Sequence, residues 1–233
     1  MSWADCEGGI DVSLLHCSRH PAAAPFRGHC PACLLEAALT SSEPGETTTG
    51  GRFTIQVPLG ESDAASVFVV REDAASPRLL RLKRWRTPAP AGFIDGFERL
   101  RAHLLEWRPP TIVLPVTAWM DATGCPSVVT DFRQGMPLLE SVRSGWLHLD
   151  RARSGLRQLQ EILDAAHQRG LAHGSVVPDN VFSARPDGAP YLLDFGFATL
   201  LSSSGAPSDW AAADRAGLAG MQAQLERLRS ESR

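Results

Sequence analysis

Four residues near the N-terminus have the types and spacing of a metal site. Cys17-x2-His20 is followed by nine residues and then by Cys30-x2-Cys33. A two-residue gap lets both side chains of a pair turn toward one ion. Two such pairs supply the four N/S ligands of a tetrahedral zinc site, and a site closed by four protein ligands is structural, not catalytic. His29 is an alternative ligand to His20, and Cys6 is a spare thiol. Residues 34–39 read as a short helix packed over the site. So few apolar residues cannot fold alone, so metal binding would supply the missing free energy. The competing reading is a set of free thiols and a surface histidine.

A second group lies in the C-terminal half. It runs His173-Gly174-Ser175-Val176-Val177-Pro178-Asp179-Asn180, and then Tyr191-Leu192-Leu193 leads into Asp194-Phe195-Gly196. This pair of stretches resembles the catalytic loop H-R-D-x-x-x-x-N and the D-F-G turn of eukaryotic-like Ser/Thr protein kinases. The spacing from His173 to Asn180 matches. The resemblance implies that Asn180 and Asp194 hold magnesium. It also exposes a departure. The position of the family's catalytic Asp is Ser175, and the neighbouring Lys is Val177. A serine hydroxyl carries no negative charge at neutral pH. Loss of a general base typically costs about 10² to 10⁴ in rate.

The resemblance extends upstream. Residues 60–67 are similar to the loop G-x-G-x-x-G-x-V: Gly60 and Val67 match, whereas Ser62 and Ala65 replace the later glycines. Leu80-Arg81-Leu82-Lys83 stands where the family has V-A-I-K, which makes Lys83 the holder of the ATP phosphates. The family pairs this Lys with a helical Glu; Glu98 is the better candidate and Glu106 the poorer. Thr130 would be the gatekeeper, and the backbone of Asp131 to Arg133 would meet adenine. ATP and magnesium are the implied ligands.

The elements that must position these residues are legible from periodicity. Residues 53–59 alternate like a strand, and 117–124 and 127–132 read as two strands joined at Gly124. Residues 91–107 carry Ile94, Phe97, Leu100 and Leu104 at helical spacing. A strand is expected at 111–115. Leu156, Leu159, Ile162, Leu163 and Ala166 stripe a helix over 149–168, stopped by Gly170. A short strand at 171–173 would then enter the catalytic loop. Val181-Phe182 and Tyr191-Leu192 flank a Pro186-Asp187-Gly188 turn. A last helix opens at Asp209-Trp210 and carries Leu218, Met221, Leu225 and Leu228. The basic run at 78–86 reads as the solvated face of a strand.

With these elements in place, the resemblance implies an α+β, bilobal, protein-kinase-like fold, preceded by a small zinc-binding module. The expected divisions are a zinc-ribbon-like module at 1–39, a polar linker at 40–51, an N-lobe at 52–132 and a truncated C-lobe at 133–233. Only 37 residues follow Gly196, fewer than the family's activation segment and later helices require.

Composition narrows the classes. The chain has 233 residues, a net charge of −3 and five cysteines. The balance gives no case for nucleic acid or an anionic membrane. No apolar run of about 18 residues exists. The N-terminus lacks a secretory signal, so the expectation is cytoplasmic. The expected function is a pseudokinase that binds a protein partner, with a nucleotide as second ligand. One alternative is a weak or atypical phosphotransferase or nucleotidyltransferase. Another is a zinc-ribbon adaptor on a vestigial kinase scaffold.

Overall fold

The computed structural model describes residues 33, 52–202 and 207–231. The proposed zinc ligands Cys17, His20, His29 and Cys30 lie outside the described residues; Cys33 is described, as a helical, half-buried position.

Three antiparallel strands open the fold: β1 (Phe53–Glu61), β2 (Ala65–Glu72) and β3 (Leu79–Trp85). Helix α1 (Phe93–Trp107) comes next, then β4 (Pro115–Met120) and β5 (Pro126–Asp131). The sheet order is β1-β2-β3-β5-β4. The register places Arg81 opposite Thr130 and Lys83 opposite Val128, so these four share one face. On the other side of β3, Val69 and Val67 stand opposite Arg81 and Lys83.

The second lobe begins with β6 (Gly135–Pro137) and α2 (Leu138–Arg143), followed by α3 (Leu149–His167). A single 3₁₀ turn at Pro178–Asn180 leads into β7 (Val181–Ala184), which pairs with β8 (Pro190–Leu192). Then come α4 (Phe197–Leu201) and α5 (Pro207–Glu231). The apolar stripes predict the packing. Leu156, Leu159, Leu163 and Ala166 of α3 meet Leu218, Met221 and Leu225 of α5 in one buried cluster. Arg153 and Glu226 tie the same two helices at their rim, at 2.7 Å.

Three local expectations are corrected. Residues 171–173 form no strand; Leu171 N–H instead bonds the carbonyl of Ala166 and finishes α3. Residues 111–114 form no regular strand either. Ile112 bridges Leu192 in parallel, and Val113 N–H donates to the Leu192 carbonyl. The basic run at 78–86 is a solvated face only in part: Arg78 and Arg86 are exposed, whereas Arg81 and Lys83 are largely covered. Arg78 sits on Glu72, Arg86 on Glu61, and Arg81 and Lys83 turn inward onto Asp194.

Candidate functional site

The turn after β8 places Asp194 under β3. Asp194 has φ 58°, a left-handed conformation that a short polar side chain tolerates better than most. Its carboxylate is almost fully enclosed. Arg81 Nη1 donates to Oδ1 at 2.6 Å and Nη2 to Oδ2 at 3.3 Å. Lys83 Nζ donates to Oδ2 at 2.6 Å. Burial alone would raise the carboxyl pKa, but the two cations outweigh it and hold it well below the usual carboxylate range. The Lys83 ammonium also lies 4.9 Å from the Trp85 ring centroid.

The turn is locked by Phe195, Gly196 and Phe197. Gly196 has φ 77°, and a Cβ there would come within 2.7 Å of Leu100 Cδ2. Phe195 is buried edge-on against the His173 ring, at 5.5 Å between centroids. Phe197 packs against Phe97 of α1 and Trp85 of β3. Short helix α4 therefore lies directly on α1, leaving no gap beside Gly96, where an added Cβ would sit 2.8 Å from Leu200.

That packing explains the position of Glu98. The inward face of α1 is Phe93, Gly96, Phe97, Leu100 and Leu104, all apolar or small. Glu98 lies on the outer face and bonds Arg101 at 3.3 Å. The expected Lys83–Glu98 pair does not form; Lys83 takes Asp194 instead. Its companion Arg81 stands two residues earlier on the same face, a spacing that strand periodicity dictates.

The catalytic-loop counterpart is held from below. His173 is fully buried. Desolvation pushes its pKa below the ordinary value, so it is neutral near pH 7. Its Nε2–H donates to the Leu193 carbonyl at 2.8 Å, and Nδ1 accepts from Ser175 N–H at 3.2 Å. Asp214 of α5, with no exposed surface, accepts from the backbone N–H groups of His173 and Gly174, both at 2.8 Å. His167 Nε2 is 3.0 Å from the same carboxylate. Sequence motifs alone do not point to Asp214. A signal exists all the same: Asp214 precedes Leu218 by one turn on the apolar stripe that continues through Met221 and Leu225, and a carboxylate on a buried stripe needs donors.

Ser175 is half-buried, and its carbonyl accepts from Asn180 Nδ2 at 2.9 Å. Val177 is exposed, at 44%. Asp179 is exposed, one residue before the buried Asn180 in the 3₁₀ turn.

The fit to magnesium can be tested on these contacts. Both Asp194 oxygens are engaged by cations, Arg81 on Oδ1 and Lys83 on Oδ2. A divalent ion on Asp194 would sit against an arginine and a lysine. The donor set does not fit it. Among the described residues, no group of three or more His, Cys, Asp or Glu side chains is arranged to hold a metal.

The remaining predicted positions line the same cleft unevenly. Gly60 lies within β1, paired with Val67. The turn beyond is closed on itself: Ser62 N–H donates to the Ala65 carbonyl at 2.9 Å, and Ala65 N–H donates to Ser62 Oγ at 3.2 Å. Those two amides are therefore spent within the hairpin. Thr130 is buried, and its Oγ1 has no hydrogen-bond partner. Asp131 N–H donates to the Leu114 carbonyl, and the Arg133 carbonyl accepts the Tyr191 hydroxyl at 3.2 Å. Burial pushes the Tyr191 phenol up, so it stays a donor.

Comparison with known proteins agrees with this architecture. The chain is 30% identical over 169 residues to the serine/threonine-protein kinase pkn2 of Myxococcus xanthus, covering 71% of this chain and 20% of that protein. It is 28% identical over 162 residues to PknE of Mycobacterium tuberculosis, covering 68% of this chain and 28% of that one. The chain thus spans between a fifth and a third of these relatives. Among solved structures, the PknI kinase domain of Mycobacterium tuberculosis superposes with a TM-score of 0.54 at 25% identity, covering 70% of this chain and 64% of that domain. No protein-family model matches.

Proposed function

The chain belongs to the eukaryotic-like Ser/Thr protein kinase superfamily, and from that premise we propose that it is a pseudokinase, acting by binding and not by phosphotransfer. The observation that carries this reading is the state of Asp194. A kinase uses that carboxylate to hold magnesium on the ATP phosphates. Here Arg81 and Lys83 engage both of its oxygens. Ser175 at the base position removes a second requirement, and the outward Glu98 a third.

In this reading the fold is a scaffold for a protein partner. The N-terminal Cys17, His20, Cys30 and Cys33 set would add a structural zinc module, and that module is a natural place for the partner to dock. Among the described residues no helix is long and apolar enough to cross a membrane. The reading is tested by incubating the purified chain and a generic kinase substrate with ATP and magnesium, then recording intact masses. Unchanged masses are expected. A phosphate or nucleotidyl adduct that is lost in Asp194→Ala would overturn the proposal in favour of an active or atypical transferase.

A further inference from the structure

The charge of the cleft is inverted relative to a metal-loaded kinase site. There, one lysine faces a helical glutamate and the D-F-G aspartate, and the excess negative charge is what a divalent ion balances. In this chain one carboxylate, Asp194, faces two cations. Among the described residues, no second carboxylate bonds Arg81 or Lys83. Glu98 is turned away onto Arg101, and Asp214 is spent on His167 and the loop amides. The cluster therefore carries one uncompensated positive charge in a largely buried place: Arg81 is 11% exposed, Asp194 5% and Lys83 21%. Buried charge of this kind is unfavourable unless an anion completes it.

We propose that Arg81 and Lys83 form a seat for the phosphates of a nucleotide that binds without a divalent metal, Arg81 supplying the charge a metal supplies elsewhere. The inference deepens the pseudokinase reading and rests on it. Three observations carry it. First, donors remain: Asp194 uses two of Arg81's five N–H groups and one of Lys83's three. Second, arginine matches phosphate in a bidentate fork, and it needs no metal to do so. Third, Thr130 stands directly opposite Arg81 on the same sheet face, 1% exposed, with its hydroxyl lacking any protein partner. A ligand in the cleft would satisfy it.

The test is equilibrium dialysis of the full chain against labelled ATP, in EDTA and in excess magnesium, with inorganic tripolyphosphate and adenosine as competitors. The expected result is saturable binding in EDTA that weakens when magnesium neutralises the nucleotide. Tripolyphosphate should compete. Arg81→Ala should lower metal-free affinity by about 10- to 100-fold, the loss of a charged hydrogen bond. Thermal melting of each variant separates lost binding from lost folding, and the wild-type comparison of EDTA with magnesium decides the matter alone. Binding that requires magnesium, no binding in either buffer, or competition by adenosine but not tripolyphosphate would each overturn the proposal. None of these outcomes produces phosphotransfer, so failure here is distinct from failure of the pseudokinase reading.

Discussion

Lys83 Nζ lies 2.6 Å from Asp194 Oδ2, and Arg81 closes on the other oxygen of the same carboxylate at the same distance. This three-membered ion cluster stitches β3 of the sheet lobe to the turn after β8. It fixes the separation of the two lobes at the point where a kinase would hold its nucleotide.

Asp194→Asn removes the only carboxylate bonded to these two cations among the described residues. Breaking a buried pair by removing one partner typically costs about 3 to 5 kcal/mol, because the remaining charge is stranded. Urea unfolding should show a loss of that order. Arg81→Met, which leaves the single Lys83–Asp194 pair, should cost less. Equal losses in the two variants would mean that Arg81 carries the cluster's stability.

The pH dependence has two windows with the same sign. Asp194 has a folded pKa below its unfolded value, so its stabilisation is present above about pH 4 and is lost as pH falls below that. His173 is held neutral by burial, so its folded pKa is also depressed. The unfolded chain gains a proton there first, and stability falls as pH drops through about 6.5. Denaturant titrations of wild type and His173→Gln between pH 7.5 and 5, taken as about a unit either side of that value, should converge on acidification. Parallel curves would contradict a buried neutral His173.

Asp214→Ala leaves the amides of His173 and Gly174 without their acceptor. Each orphaned buried donor costs about 1 to 3 kcal/mol. The variant should lose at least about 2 kcal/mol on that basis, and amide exchange should rise at positions 173 and 174 ahead of the rest of the lobe. Wild-type exchange at those amides would show that the loop is positioned by something other than Asp214.

The α3 and α5 stripes are legible in the sequence because an apolar periodicity survives substitution; the β7–β8 hairpin is legible from its turn residues, and the kinase-like fold from the resemblance of residues 173–180 and 194–196 to the family's loops. The identity of the Lys83 partner is not. Spacing along α1 points to Glu98, but helix rotation is set by which residues fill the groove against α4, and Gly96, Phe97 and Leu100 win that contest. Arg81 reads as solvated because a basic run usually is. Its alternation with Leu80 and Leu82 is the counter-signal: on β3, Leu80 and Leu82 pack into the cluster with Phe53 and Val129, which leaves Arg81 and Lys83 for the opposite, Asp194 face. The sequence carries both residues, but only the register with Thr130 and the path of the Asp194 turn show where they meet.

The most direct test of the central claim is anomalous scattering from a crystal of the chain soaked in ATP and manganese. The account predicts Arg81 and Lys83 on Asp194 and no manganese peak at coordination distance from its carboxylate. A peak bridging Asn180 and Asp194, with Arg81 swung away, would contradict it and restore this cleft to the metal-loaded kinase arrangement.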